Sequence, residues 1–358
     1  MKLFRRCLTV LLAVVILLAA LVGGYVIYVF AAYHRLEDNL ALTPENDPAQ
    51  IARTGASYTL VSYNVGFGAY SPEYSFFMDG GKYSRAFSAD AVRANIAGAG
   101  AQAAAESPDF VFFEEVDADA TRSYHIDQRP LLQSALPGYS SVFAQNYDSP
   151  YLFWPLNSPH GKSVAGMLTL SKFKIDSSVR RSLPVETGFS KFMDLDRCYS
   201  VTRVPVDNGK TLCLYTTHLS AYTTDGSIAT EQVEVLAADM DKERAAGNYV
   251  VCGGDFNKDL LGDSGSIFGV SGEAYTWAQP FPETLLPTGL TLVKPYDAAD
   301  PVPSCRNANE VYDPATSFVL TIDGFIVSDN VRVASSAVLD TGFAWSDHNP
   351  VKLVFSLT

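Results

Sequence analysis

Several apolar, strand-like runs in this chain end on a polar side chain, and that pattern constrains the fold more than any other feature. LVSYN ends at Asn64, FVFFEE at Glu115, LYTTH at His218, VVCGGDFN carries Asp255 and Asn257, WSDHNP carries Asp347 and His348, and Asp323 lies inside FVLTIDGFIV. An apolar strand that finishes in Asn, Glu, His or Asp delivers that side chain to a sheet edge, where open α/β sites form. Each residue alone has a plainer reading. Asn64 suits a turn, Glu115 a solvated edge, His218 the core, Asp255 and Asn257 an Asx turn, Asp323-Gly324 a turn dipeptide and Asp347-His348 a strand cap. All of these readings would have to hold together, yet the chain has only 5 histidines and two of them are in the set.

Strand signals cover Tyr58–Val65, Asp109–Val116, Ser163–Leu170, Cys198–Pro205, Thr211–His218, Asn248–Gly254, Phe318–Val327 and Pro350–Leu357. Helical spacing appears over Ser88–Glu106, with Ser88 as N-cap, and over Thr230–Ala246, where Val233, Leu236 and Met240 recur at three and four. Val206–Lys210 reads as a hairpin with an Asn-Gly turn. Mixed helical and hairpin connections predict mixed sheets covered by helices. The stretch 264–317 is rich in Pro and Gly, weak in strand signal and long for a loop, which marks it as a functional or inserted subregion.

At the N-terminus, Leu8–Ala32 contains no charged residue, long enough to span about 30 Å of hydrocarbon. A cleavable signal has a shorter apolar core and a small-residue cleavage site, so this segment reads as an uncleaved anchor, residues 1–33, with a long cleaved signal as the alternative. Lys2, Arg5 and Arg6 precede it and Tyr25, Tyr28 and Tyr33 close it, which predicts a cytoplasmic N-terminus and an extracytoplasmic body. Residues 34–57 are polar and read as a linker, and 58–358 as one catalytic domain. The net charge is −13 over 358 residues. Setting the three cationic anchor residues aside leaves −16, which argues against high-affinity nonspecific nucleic-acid binding. With 47% apolar and 18% charged residues the chain is not disordered. Cys198, Cys213, Cys252 and Cys305 read as small buried residues, and no C-x-x-C spacing suggests zinc or a redox motif.

Carboxylates and an amide oxygen are hard ligands for Mg²⁺, Mn²⁺ or Ca²⁺. Two histidines among carboxylates suit acid–base work near neutral pH. No Walker motif, G-x-S-x-G elbow or H-E-x-x-H is present. The set favours metal-assisted phosphoester hydrolysis.

SYNV, FEEVD, GMLTLSK, TTHLS, GGDFN, TIDGFIVS and SDHNP, in this order over roughly Tyr58–Thr358, resemble the endonuclease/exonuclease/phosphatase superfamily. GDFN and SDH together are the specific part. The resemblance implies an α/β four-layer sandwich, two packed mixed β-sheets flanked by helices. It implies Mg²⁺ (or Mn²⁺) at Glu115, with Asn64 and Asp347 contributing. His348 would be the base on the attacking water, oriented by Asp323. Asp255 and Asn257 would position the nucleophile or stabilise the transition state, and His218 would bind the scissile phosphate or protonate the leaving group. Glu114 stands where the family often has Gln and is expected to add negative charge near the metal. Candidates for a phosphate-gripping residue are Tyr151, Lys162, Arg197 and Arg306. Aromatic clusters at Phe76–Met78 and Tyr151–Trp154 suit core packing or a lip touching lipid. The expected substrate is a phosphoester, with a lipid head group or small molecule favoured and nucleic acid as the alternative. No obligate protein partner is implied. A non-catalytic surface binding module is the remaining alternative, and every matched catalytic position being filled argues against it.

Overall fold

A computed structural model describes residues 2–188, 191–194, 196–221, 227–270 and 279–358. The described strands are β1 (Leu40–Leu42), β2 (Ser57–Asn64), β3 (Phe110–Ala120), β4 (Ser140–Asp148), β5 (Ser163–Ser171), β6 (Ser177–Ser182), β7 (Cys198–Pro205), β8 (Thr211–His218), β9 (Tyr249–Asp255), β10 (Leu290–Val293), β11 (Cys305–Arg306), β12 (Val319–Leu320), β13 (Asp323–Ser328), β14 (Val331–Val338) and β15 (Val351–Leu357). Helices are α1 (Lys2–Ala32), α2 (Ala89–Ala105), α3 (Arg129–Ala135), α4 (Lys191–Asp194), α5 (Ser227–Ala245) and α6 (Ser264–Ile267).

Two large mixed sheets form. One runs β1-β6-β7-β8-β9-β13-β10 and the other β14-β15-β2-β3-β5-β4, with parallel pairs at β8–β9 and β2–β3. The period-2 alternation of the sequence explains how they stack. Leu60, Phe110, Phe112, Leu212, Leu214, Val251, Phe325 and Phe355 face inward and fill the space between the sheets. Their sequence neighbours face outward. Val61, Tyr63, Val111 and Phe113 meet Val92, Ile96 and Ala99 of α2 and Leu132 of α3. Cys213, Tyr215, Val250 and Cys252 meet Val233, Leu236 and Met240 of α5. The result is the expected four-layer order of helix, sheet, sheet and helix. Each of these fully buried large side chains contributes about 1.5–3 kcal/mol by leaving water.

Local expectations hold where the side chains dictate them. Ser88 caps α2, its Oγ accepting from Ala91 N at 3.0 Å. The Val206–Lys210 turn joins antiparallel β7 and β8, with Gly209 at φ +79°. All of Cys198, Cys213, Cys252 and Cys305 are buried and unbridged. Several strands carry no strong sequence signal: β1, β4, β6, β10 and β14. Residues 34–57, read as a linker, lie along the body: β1 adds an edge strand beside β6, Ala52 is fully buried, and Arg35 Nε lies 3.0 Å from Asp196 Oδ1. α1 is long and apolar enough to cross a membrane, and none of its residues is buried in the protein.

Candidate active site

The inward-facing alternation that builds the core also builds the site. His218 ends β8, Asp255 ends β9 and Asp323 begins the antiparallel β13. The register pairs His218 with Asp255 and Asp255 with Asp323. Three adjacent strands therefore set these side chains side by side at one end of the sandwich, on the phase that carries Leu214, Val251 and Phe325 into the core. Asn64 ends β2 on the inward phase of the opposite sheet.

Glu115 is a different case. Regular pleating would send it away from Asn64, because Glu114 occupies the inward phase beside it. β3 breaks its register with β5 here: Phe113 pairs with Leu168 and Val116 with Gly166, so two residues of β3 oppose one of β5. This is a β-bulge, a device that re-aims a side chain. Glu115 adopts φ +55°, and its Oε1 comes within 3.3 Å of Asn64 Nδ2 and 4.0 Å of His218 Nε2.

At the centre, Asp255 Oδ2 accepts from Asn64 Nδ2 at 3.1 Å and lies 3.5 Å from His218 Nε2 and 3.7 Å from His348 Nε2. Its Oδ1 accepts from Asn257 N at 2.8 Å, while Asn257 Nδ2 donates to Leu219 O. Asp323 Oδ2 lies 2.9 Å from His348 Nδ1 and accepts from Ser304 Oγ at 2.7 Å. Asp347 is anchored through its carbonyl, which accepts from Arg306 N, and Ser346 Oγ donates to Asn64 O at 2.7 Å. Glu115, His218, Asp255, Asn257, Asp347 and His348 all line one cavity of about 160 Å³. Asn64 and Asp323 stand directly behind it.

Electrostatics divides the two histidines. Burial, reinforced by Arg197, holds His218 well below its ordinary pKa, so its imidazole is neutral. Burial alone would do the same to His348, but Asp323 outweighs it and raises the imidazole well above its ordinary value. Burial, then Asp323, pushes Asp255 up to about 7, and burial raises Asp347 too.

Glu114 corrects an expectation. It lies fully buried between the sheets, takes one hydrogen bond from Ser62 Oγ at 2.9 Å, and leaves Oε2 without a partner. Burial first, then Asp323 and Asp255, raises its pKa well above the carboxylate range. Burial therefore favours the neutral, protonated carboxyl, which would match in charge the Gln often found here in the family.

The donor set fits a hard divalent cation. Buried carboxylates whose ionisation is disfavoured mark a place where a cation would offset their repulsion. Glu115 and Asp347 offer oxygens to the cavity. Asn64 turns its NH₂ toward the carboxylates, and its Oδ1 accepts from Gly66 N at 3.0 Å. Its amide oxygen reaches the cavity side only after a half-turn. Asp255, Asp323 and His348 also place possible ligand atoms within 4.8 Å of one another. The 2.9 Å contact commits His348 Nδ1 to Asp323, so this trio is better suited to handling a proton.

Of the four phosphate-gripping candidates, Arg197 and Arg306 line the cavity, whereas Tyr151 packs against α1 and Lys162 pairs with Asp148. Arg306 is buried, donates from Nη2 to the carbonyl of Ser71 at 3.0 Å, and leaves Nε without a hydrogen-bond partner. Phe67, Tyr70, Phe76 and Met78 form an aromatic and apolar wall. The sequence did not point to Arg122, Asn146, His160 or Ser304. Arg122 lines the cavity from the turn after β3, Asn146 from β4 and His160 from the β4–β5 loop, and Ser304 belongs to the 264–317 stretch, which also supplies Cys305, Arg306 and Asn307 to the wall.

The sequence profile of the endonuclease/exonuclease/phosphatase family matches residues 61–348. The chain belongs to that family. A search of curated proteins finds no match. Among solved structures, an endonuclease/exonuclease/phosphatase from Beutenbergia cavernae is 18% identical, covers 84% of this chain and 72% of its own, and superposes with a TM-score of 0.55. A mannosyl-6-phosphatase from Bacteroides thetaiotaomicron is 17% identical over 84% of this chain and 100% of its own, TM-score 0.53. TDP2 of D. rerio in complex with a single-strand DNA product is 18% identical over 84% and 99%, TM-score 0.51. At these identities the likeness concerns the fold. The family itself comprises phosphoester hydrolases, phosphatases and nucleases.

Proposed function

We propose that this chain is a membrane-anchored, Mg²⁺- or Mn²⁺-dependent phosphodiesterase or phosphatase, working outside the cytoplasmic membrane on a phospholipid head group or another small phosphoester. The observation that carries this reading is the convergence of Glu115, His218, Asp255, Asp347 and His348 on one cavity with an aromatic wall. The wall suits a substrate with an apolar part next to its phosphate. The anchor reading rests on α1 and on the cationic residues before its apolar run.

Glu115, with Asn64 and Asp347, would hold the cation. When bound, it supplies charge neutralisation for the phosphoryl oxygens. His348 would take the proton of the attacking water at Nε2 in its deprotonated form, which the positive charge of a bound cation would favour against the rise that Asp323 causes. Asp323 on Nδ1 fixes the ring orientation and stabilises the imidazolium that forms. Asp255, braced by Asn257 N, positions the water. His218, neutral by burial, offers Nε2–H as a hydrogen bond to the scissile phosphate. Arg197 and Arg306 add positive charge at the wall.

The test is a panel of DNA, RNA, sphingomyelin, phosphoinositides and simple phosphodiesters offered to the full chain with and without Mg²⁺. Cleavage of nothing but DNA would overturn the substrate class. No cleavage of any substrate by folded, metal-loaded protein would favour the binding-module alternative.

A further inference from the structure

Outside α1, the most exposed large apolar side chains among the described residues are Leu156 at 76% and Trp154 at 66%, with Phe153 close by at 51%. They share the loop between β4 and β5. Isolated exposed apolar residues are ordinary, but three within four positions make a patch. The loop is braced. Leu152 and Gly161 exchange backbone hydrogen bonds of 3.0 Å, and His160 N donates to Trp154 O at 3.2 Å. It is a tied hairpin with an apolar tip.

That hairpin stands against α1. Tyr151 N donates to Tyr28 Oη at 2.9 Å, Tyr25 Oη donates to Tyr151 O at 3.1 Å, and the Tyr25 and Phe153 rings meet edge to face at 5.2 Å. Tyr28 and Tyr25 precede the helix end at Ala32 by about 6 and 10 Å along the axis. Tyr151 and Phe153 therefore lie alongside the last turns of the apolar helix, not beyond them. Aromatic residues collect at that depth in a membrane interface. The body is tied to this position. Leu36 N donates to Asp196 Oδ2 at 2.8 Å, Arg35 Nη2 donates to Leu183 O at 2.7 Å, and Lys191 Nζ sits 4.5 Å from the Tyr33 ring centre. The base of the same hairpin reaches the site: His160 lines the cavity, and its ring packs on Phe76 at 6.0 Å and Phe77 at 5.9 Å.

We infer that Tyr151–Leu156 is a second membrane contact, seated in the interface of the bilayer that α1 spans, and that it holds the cavity rim at the lipid surface. This rests on reading α1 as an uncleaved anchor. Its occupant is the lipid surface because Tyr151 and Phe153 meet the tyrosines of the apolar helix α1 directly, and the exposed Trp154 and Leu156 follow them in the same loop.

The test uses the full chain reconstituted in phosphatidylcholine vesicles brominated at defined acyl depths. The chain has 3 Trp, so the fluorescence difference between wild type and Trp154→Phe isolates Trp154. Shallow bromines are expected to quench that component several-fold more than deep ones, with aqueous iodide ineffective. Flotation after an alkaline carbonate wash reports the anchor separately. A chain that floats while its Trp154 component answers only to iodide refutes the contact and leaves the anchor standing. Protection from iodide without quenching by brominated lipid would put protein, not lipid, on the patch and equally overturn it. A chain that fails to float removes the anchor and this inference together.

Discussion

His348 Nδ1 and Asp323 Oδ2 lie 2.9 Å apart, both buried, with Ser304 Oγ on the same carboxylate oxygen. The pair leaves His348 Nε2 as its working nitrogen, 3.7 Å from Asp255. His348→Ala is expected to lower hydrolysis at least about 10²-fold, the scale of a positioned acid–base group. Asp323→Asn retains the shape but loses the charge, so turnover should fall while KM changes little. Steady-state kinetics on the responsive substrate checks both, and wild-type-like turnover by His348→Ala would sink the mechanism.

Glu115 reaches the site only through the bulge in β3. Glu115→Gln keeps its size and removes the anionic ligand, with an expected loss of about 10²-fold or more in rate and weakened Mg²⁺ binding. EDTA should abolish wild-type activity, and Mg²⁺ or Mn²⁺ should restore it. Full activity after exhaustive chelation excludes the metal role. Calorimetric titration of Mg²⁺ into both proteins gives the binding half of the result without relying on turnover.

These two residues show what the sequence carries and what it hides. The sequence shows Asn64, His218 and Asp255 at the ends of apolar strand-like runs and Asp323 inside one, and regular strand phase carries all four inward from the two sheets, whereas their shared role came from the resemblance. Glu115 could not be placed inward this way, because alternation puts Glu114 inward and nothing local announces the bulge. The inference to Glu115 came from resemblance. The charge state of Glu114 was also illegible, since it follows from burial between sheets that are distant in sequence. The weak strands β1, β6 and β14 form at or near sheet edges. There pairing with a neighbour, rather than apolar content, decides the conformation.

Glu114→Gln tests that reading directly. If the carboxyl is already protonated, an isosteric amide should change the melting temperature by little and leave Mg²⁺ affinity unchanged. If Glu114 were ionised, removing its charge would measurably weaken Mg²⁺ binding. Calorimetric titration separates the two.

Gly254 lies in β9 directly before Asp255 and pairs with Thr217 of β8, at φ +141°, and a Cβ there would lie 1.9 Å from Thr217 O. The clash is with backbone, so it cannot be relieved by turning a side chain. Gly254→Ala should cost at least about 1–3 kcal/mol, as overpacking does, and should separate His218 from Asp255. Thermal unfolding reads the first effect and loss of turnover in the folded fraction reads the second. An unchanged melting temperature would show that β8 and β9 are not held this closely.

Asp255 links the site to pH. Its folded pKa, about 7, lies above its ordinary value of 3.8, so the native state binds the proton more tightly than the unfolded chain. Its contribution to stability is therefore greatest in acid and is lost as pH rises through about 4 to 7. Asp255→Asn removes this dependence. In EDTA, the melting temperature of the variant relative to wild type should climb across that window and level off above about 7. Saturating Mg²⁺ should flatten the climb, because a cation offsets the charge that makes ionised Asp255 costly. Scanning calorimetry of both proteins at several pH values, with and without the metal, measures it. A difference between them that is constant with pH would show that Asp255 ionises normally and that its burial is already compensated within the protein.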